Sequence, residues 1–247
     1  ADHYGSAEEL LGHLPNFQAF TKWVPKPGPE QATAEAVDAA VRRSLVRLKK
    51  QRIELLQFHT WDYLDGPGTW IQQLKLLQLH DGVEHLGLTN FDTAHLQLAL
   101  ASGIRIVSNQ ICFSLLDRRA LEDMSSLCRS TGVKILAFGV LAGGLLTDKF
   151  LGRGPLSKDE LAASWSLAKY NRFVACFGGW DLLQELLAVL RRVANRHVVS
   201  NEDGSETHVS IANVATRWVI ECQEVAAVIV GARLGHSEHV ADNKRIF

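Results

Sequence analysis

A regular alternation of short apolar runs with longer amphipathic segments limits the folds open to this chain more than any other feature. Short runs flanked by polar or glycine residues indicate buried strands, and a 3.6-residue apolar period indicates helices. The predicted strands are Phe17–Thr21, Ile53–Phe58, Glu84–Leu88, Arg105–Ser108, Lys134–Phe138 and Val225–Val230. The predicted helices are Thr33–Lys49, Trp70–Leu79, Thr93–Ala101, Ala120–Ser130, Asp181–Arg196, Ser210–Glu221 and one that begins at Ser237.

Mostly apolar strands that are each followed by a helix are typical of a parallel sheet covered on both faces. Either an open doubly wound sheet or a closed (β/α)8 barrel satisfies that pattern. A doubly wound nucleotide-binding sheet carries GxGxxG after its first strand. The sequence shows no such motif there, which favours an α/β fold of the (β/α)8 TIM-barrel type.

The predicted strands number six, whereas a closed barrel needs eight. We therefore expect strands 3–8 of an N-terminally truncated barrel, with the first two strands upstream of Ala1 and part of the last helix beyond Phe247. An open barrel is the alternative. Residues 1–247 are expected to form a single barrel domain, incomplete at both ends. An irregular stretch from Ala142 to about Gly179 and an exposed insertion at Ser200–His208 interrupt the alternation.

Composition excludes several classes of protein. The 247 residues carry a formal net charge of -1 and no dense basic run, so a nucleic-acid partner is not expected. No apolar run reaches the ~18 residues of a membrane helix, so we expect no membrane partner and a cytoplasmic location, an organelle being the alternative. The cysteines form no CxxC pair and are expected to be buried thiols; they are Cys112, Cys128, Cys176 and Cys222.

Polar and aromatic residues recur near the ends of the predicted strands. In a (β/α)8 barrel the carboxyl ends of the strands form the mouth where sites are built. Each residue alone has an ordinary structural explanation, but their recurrence at successive strand ends favours a site. Together with Tyr4 near the N-terminus, they are Lys22, His59, Thr89, Asn90, Asn109, Gln110 and Phe138.

Seven stretches, in order along nearly the whole chain, resemble the aldo-keto reductase family, and the TNFD, SNQ and VIVGAR forms within them look most like its plant and bacterial branches. They are ADHYGSAEELLG, FTKW, LLQFHTWD, LGLTNFD, VSNQICFS, LAFGVLAGGLLTDKF and AAVIVGARLGHSEHVADN. The resemblance implies reversible NADPH-dependent reduction of an aldehyde or ketone to an alcohol. It implies Tyr4 as the general acid, Lys22 as the ammonium that lowers the tyrosine's pKa, and His59 as the residue that orients the carbonyl.

The same resemblance implies a binding site for NADP(H). Thr89, Asn90 and Gln110 would hydrogen-bond the nicotinamide carboxamide, and Phe138 would stack on its ring. Arg233 follows Gly231 closely and would suit the 2′-phosphate of NADP, which favours NADP(H) over NAD(H). The pyrophosphate and adenosine ends would involve Gly139, Leu141, Gly143, His239, Asp242 and Asn243.

One departure leaves alternatives open. The family has an aspartate five residues before the tyrosine, a position that falls upstream of Ala1, and the spacing of Asp2 makes it no substitute. The chain could therefore be a catalytically impaired member that binds cofactor as an accessory subunit of a larger assembly. A metal-dependent (β/α)8 hydrolase is a third reading, but His59 alone would supply histidine at the strand ends. Trp23 and Trp61 could line an apolar substrate pocket or be packing residues.

Overall fold

A computed structural model describes residues 3–60, 67–200, 204–231 and 239–247, without the side chains of 67 and 68. The strands are β1 (Phe20–Trp23), β2 (Ile53–Phe58), β3 (Val83–Thr89), β4 (Ile106–Cys112), β5 (Lys134–Phe138), β6 (Val198–Ser200), β7 (Glu206–His208) and β8 (Val225–Ile229). The helices are α1 (Ala7–Leu11), α2 (Ala34–Leu48), α3 (Pro67–Gln78), α4 (Thr93–Ala101), α5 (Asp123–Thr131), α6 (Lys158–Ala163), α7 (Trp165–Phe177), α8 (Trp180–Ala194), α9 (Ile211–Ile220) and α10 (Val240–Lys244).

Six strands form one sheet in the order β1-β2-β3-β4-β5-β8, and β6 pairs with β7 in a separate antiparallel hairpin. The pairs β1–β2, β2–β3 and β3–β4 are parallel, each joined by a crossover that contains a helix. This confirms the predicted α/β class and its six-stranded parallel sheet, which is consistent with a (β/α)8 barrel.

Most predicted elements are confirmed, but three strand bounds were wrong. β1 begins three residues later than predicted and contains Lys22. β3 and β4 extend beyond their predicted ends, to Thr89 and to Cys112. The reason is pairing, because Lys22 pairs with Gln57 and Thr89 pairs with Gln110 across neighbouring strands. These polar residues therefore lie inside the sheet and not beyond its strands.

The irregular stretch predicted from Ala142 to Gly179 was also wrong, because α6 and α7 occupy much of it. Ser157 and Glu160 form a reciprocal capping box at the start of α6, and Ser164 caps α7 through the amide of Leu167. Within the predicted insertion at 200–208, Ser200 ends β6 and Glu206–His208 form the exposed β7. The predicted start of the last helix at Ser237 lies outside the described residues.

The chain divides into two compact units. The first comprises residues 1–111 and 126–135, hence β1 to β4 and the start of β5. Its core includes a run of aromatic rings in which Trp23 meets Phe58 at 5.7 Å and Phe91 meets Trp70 at 5.5 Å between centroids. Trp23 is only 4% exposed. The structure therefore supports packing as its role, while Trp61 lies outside the described residues.

Helix α1 is fastened to the first unit by one buried carboxylate. Glu8 accepts a hydrogen bond from the Thr21 hydroxyl at 2.6 Å and approaches the Arg47 guanidinium at 3.5 Å. A carboxylate that is 1% exposed needs such partners, since an unpaired buried charge is costly. Because Glu8 joins α1 to both β1 and α2, it fixes where the chain just after Tyr4 runs.

The second unit comprises residues 112–125 and 136–247. Its core packs α7, α8 and α9 against the segment that follows β5, and its buried members include Leu145, Leu146, Leu183, Leu187 and Ile211. Asp242 on α10 accepts a hydrogen bond from the hydroxyl of Ser210, the N-cap of α9, at 2.9 Å. That bond ties α10 to the beginning of α9.

Within the described ranges, no single helix is both long and apolar enough to cross a membrane. α7 and α8 reach that length and composition only as a pair, and a bend of 93° separates them.

Candidate active site

Lys22 is the buried cation of the first unit. It lies inside β1, where successive side chains point to opposite faces. Thr21 accordingly reaches Glu8 on α1, while the Lys22 ammonium donates a 2.8 Å hydrogen bond to Oε1 of Gln110 on β4. The structure thus brings together two of the predicted site residues, Lys22 and Gln110, across the strands between them.

A second amide extends this contact. Nε2 of Gln110 donates to Oε1 of Gln57 on β2 at 2.7 Å, and Nε2 of Gln57 points at the backbone oxygen of Thr21 at 3.5 Å. Each amide uses one end as acceptor and the other as donor, which orients both side chains. Sequence reasoning missed Gln57, although an uncharged polar residue within the apolar run LLQF was a usable signal.

Burial changes the proton affinity of Lys22. Its side chain is 8% exposed, and the loss of hydration lowers its pKa from 10.5 to about 8. The ammonium is therefore the majority form at neutral pH, but the neutral amine is accessible close to it. A cation of this kind can stabilise a nearby phenolate and can exchange a proton close to neutral pH.

His59 follows β2 directly, and two described hydrogen bonds hold it. It is 4% exposed, its backbone amide donates to the oxygen of Trp23 at 3.0 Å, and its Nε2 lies 3.2 Å from Nδ2 of Asn90. Burial first, and then the positive charges of Lys22 and His3, lower the pKa of His59 to about 4. The ring is therefore neutral at pH 7, and the Asn90 amide donates to its Nε2.

None of the described contacts joins Tyr4 to Lys22 or His59. The Tyr4 side chain is 63% exposed, and its ring lies 4.3 Å from that of His3 between centroids. The positive charge of a protonated His3 is the smallest of the three causes that lower the pKa of His59. The segment that carries Tyr4 therefore lies within electrostatic range of the His59 ring.

Thr89 and Asn90 present polar groups beside this network. The backbone N–H of Asn90 donates to the backbone oxygen of Gln110 at 2.9 Å, and Asn90 adopts a left-handed φ of 58°. The hydroxyl of Thr89 is buried and has no hydrogen-bond partner among the described residues. A buried hydroxyl in that state fits a ligand that brings its own polar atoms, such as a carboxamide.

In the second unit, Phe138 ends β5 and is half-buried. Gly139 and Gly143 follow with φ of 68° each, a conformation that side chains rarely adopt. A Cβ at Gly139 would lie 2.5 Å from the Tyr170 hydroxyl, and one at Gly143 would lie 2.7 Å from the Tyr170 ring. The close approach that the glycines permit is thus made by Tyr170 of α7, with Leu141 half-buried between them.

Tyr170 itself belongs to a buried polar group. Burial, together with a hydrogen bond and charge from Cys112, raises the pKa of Tyr170 to about 12. Burial and the carboxylate of Asp117 likewise raise the pKa of Cys112 to about 12. Arg119 pairs with Asp117 through two contacts of 2.7 Å. These contacts hold α7 against the segment from Gly139 to Gly143. The raised pKa values keep the Tyr170 hydroxyl and the Cys112 thiol protonated at neutral pH.

The residues predicted for the adenosine end are only partly described. Arg233 lies outside the described residues. Gly231, which follows β8, and His239, which precedes α10, are exposed, and Asn243 is half-buried. The Asp242 carboxylate is engaged with Ser210, with Asn213 at 3.4 Å and with Arg245 at 3.9 Å. Its observed partners are therefore those of a helix-fastening residue.

No group of three or more His, Cys, Asp or Glu side chains within the described part of the chain is arranged to hold a metal ion. What the first unit does hold is a buried amine, a neutral imidazole and a row of oriented amides on a parallel α/β sheet. Such a set is suited to polarising a carbonyl and moving a proton.

Comparison with known proteins identifies the family. The sequence matches the profile of the Aldo/keto reductase family over residues 1–247, and the chain therefore belongs to that family. Among solved structures, the glycerol dehydrogenase of Gluconobacter oxydans aligns with a TM-score of 0.69 at 22% identity, covering 97% of this chain and 75% of its own. An aldo-keto reductase of Bacillus halodurans aligns with a TM-score of 0.63 at 22% identity, covering 97% and 70%. At these identities the likeness shows the fold alone.

Curated relatives match parts of longer proteins. Flagellar radial spoke protein 5 of Chlamydomonas reinhardtii is 32% identical over 145 residues, which are 56% of this chain and 24% of that protein. An uncharacterized oxidoreductase of Bacillus subtilis is 28% identical over 198 residues, which are 77% of this chain and 52% of that protein. The chain thus spans between a quarter and a half of the length of these relatives.

Proposed function

We propose that this protein reduces an aldehyde or ketone to an alcohol, reversibly, with NADPH as the hydride donor. The observation that carries the proposal is the Lys22–Gln110–Gln57 network, which holds a buried amine with a pKa of about 8 beside a neutral His59. Membership of the Aldo/keto reductase family supports the reaction class. The resemblance of the FTKW and LLQFHTWD stretches to that family's motifs supports the assignment of Lys22 and His59.

In the proposed reaction, Tyr4 donates a proton to the carbonyl oxygen. A free phenol with a pKa near ~10 is a weak acid at neutral pH, so a cation that stabilises the phenolate speeds the transfer. By the family resemblance Lys22 would be that cation, and its pKa of about 8 keeps it mainly charged at neutral pH. His59, neutral and held by Asn90, orients the carbonyl through its ring and has no charge of its own to repel Lys22.

Bound NADPH would supply the hydride. In the first unit, the buried Thr89 hydroxyl fits the polar edge of its carboxamide, and the side-chain amides of Asn90 and Gln110 would contribute the hydrogens and lone pairs that their described hydrogen bonds do not use. In the second unit, the half-buried ring of Phe138 fits the flat nicotinamide face. NADP(H) is preferred to NAD(H) because Arg233, by its place in the GAR sequence, suits a 2′-phosphate.

The test is turnover by the purified protein. NADPH oxidation, followed by its absorbance with a panel of aromatic and aliphatic aldehydes and ketones, should proceed in the wild type. Tyr4→Phe should abolish it and leave NADPH binding intact. Lys22→Met should lower it by more than ~100-fold, while Lys26→Met, which removes an exposed lysine four residues on, should leave it unchanged. Turnover that survives Tyr4→Phe would refute the assignment.

A second candidate is a cofactor-binding accessory subunit without turnover. Two observations favour it: Tyr4 is 63% exposed without a described contact to Lys22, and one curated relative is a flagellar radial spoke protein. This candidate expects NADPH binding with no oxidation across the panel. It also expects the protein to co-elute with a larger assembly on gel filtration, whereas the enzyme needs no such partner.

A further inference from the structure

A cation that has no role in the proposed reaction lies over the ring of Phe138. The ammonium of Lys169, on α7, lies 5.4 Å from the Phe138 ring centroid. The same ammonium lies 5.3 Å from the ring of Trp165 and 5.2 Å from that of Tyr170. Three aromatic faces converge on one charge, and each attracts a cation through its quadrupole.

The position of Lys169 is fixed by its neighbours more than by its own flexible chain. Tyr170, the next residue, packs on Gly139 and Gly143, and its hydroxyl is tied to Cys112. That packing sets the register of α7 against the loop after β5. No carboxylate among the described residues forms an ion pair with the Lys169 ammonium, and its charge opposes the rise in the pKa of the Cys112 thiol.

We propose that Lys169 is a specificity-determining residue that makes the site discriminate between the oxidised and reduced nicotinamide. The inference rests on the proposed function, in which Phe138 stacks on that ring. The oxidised nicotinamide carries a positive charge and the dihydronicotinamide is neutral. An ammonium on the same phenyl ring therefore repels NADP⁺ and leaves NADPH unaffected, which drives release of the oxidised product.

The size of the effect follows from Coulomb's law. An ammonium about 5 Å from the Phe138 centroid, with a stacked ring about 3.5 Å beyond it, places the two charges about 9 Å apart. For effective dielectric constants between about 20 and 80, their repulsion weakens NADP⁺ binding by about twofold to twentyfold. The same residue exerts no such effect on the neutral form.

The experiment measures the dissociation constants of NADPH and NADP⁺ by titration calorimetry, at one ionic strength, on the full chain. Lys169→Met should lower the ratio of the NADP⁺ constant to the NADPH constant by about twofold to twentyfold. Lys169→Arg keeps the charge and should keep the ratio. Arg172→Met is the matched control, because Arg172 lies on the same helix with its guanidinium 5.1 Å from a different ring, Phe173.

The outcomes separate this inference from the proposed function. An unchanged ratio in Lys169→Met, with both cofactors still bound, would overturn the role of Lys169 and leave the reductase assignment standing. Equal tightening of both forms would also overturn it, because it would show that Lys169 competes sterically for the ring. Failure of the wild type to bind either cofactor would refute the proposed function, and this inference with it.

Discussion

Replacing Lys22 with methionine should stabilise the protein at neutral pH, although it removes a proposed catalytic group. Each pKa unit corresponds to about 1.4 kcal/mol, so a fall from 10.5 to about 8 means that burying the charged form costs about 3 kcal/mol at pH 7. Methionine fills a similar volume without charge. It leaves Oε1 of Gln110 without its donor, which costs about 1–2 kcal/mol. The expected net gain in the free energy of unfolding is about 1–2 kcal/mol at pH 7.

The sign of the pH dependence makes the prediction sharp. Between pH 8 and 10.5 the unfolded chain binds a proton at Lys22 that the folded chain has released, so wild-type stability rises with pH across that window. The stability advantage of Lys22→Met over the wild type should therefore shrink from pH 7 to pH 10. It should reverse sign near pH 10, because the loss of the hydrogen bond to Gln110 then outweighs the remaining cost of burying the charge.

Urea unfolding of wild type, Lys22→Met and Lys26→Met at pH 7 and pH 10 measures this difference. Lys26 is exposed, so its variant should track the wild type at both values. If Lys22→Met is the less stable protein by the same amount at both pH values, the ammonium is not desolvated and the reasoning is refuted.

Three further outcomes are expected. Glu8→Ala should destabilise the protein by about 2 kcal/mol, because it leaves the buried Thr21 hydroxyl of β1 without its acceptor. Glu9→Ala, on the exposed side of α1, should cost less than about 0.5 kcal/mol, and chemical denaturation of both variants measures the difference. Gly143→Ala should cost about 3 kcal/mol through strain and overlap with the tyrosine ring of α7, and Gly152→Ala, with a similar φ and open space, about 1; equal losses would show that the overlap is relieved. Wild-type stability should fall as pH drops from 6.5 to 4, because the unfolded imidazole of His59 binds its proton first; His59→Asn should flatten that part of a pH-dependent melting curve, and an unchanged slope would count against a buried neutral ring.

The sequence predicted best where a single local signal sets the structure. β2, β5 and α4 have the predicted bounds, because β-branched or apolar runs end at turn residues and Asp92 caps α4 through its side chain. The segment at 142–179 was misread because glycine and polar residues outweighed the capping serines Ser157 and Ser164. Short capping signals carry little weight in a window that is not strongly amphipathic.

For the candidate site, the sequence proposed residues that the structure joins in pairs, but it did not reveal which residues are partners. Lys22, His59, Asn90 and Gln110 were all proposed, and the structure joins them in pairs. The Lys22–Gln110 contact spans 88 positions in the chain and depends on sheet register, which no local pattern reveals. The cation–π contact between Lys169 and Phe138 could not be predicted either, because the helix α7 that carries Lys169 was itself not predicted.

Three consecutive residues of β1 contact three different parts of the first unit. Thr21 bonds to α1 on one face, Lys22 reaches β4 on the other, and Trp23 packs edge-on against Phe58. A change at Thr21 or Trp23 therefore disturbs the backbone that positions Lys22 between them. A library randomised at positions 21 and 23 should yield few folded variants, whereas position 22 should accept an apolar residue of similar volume without loss of the fold.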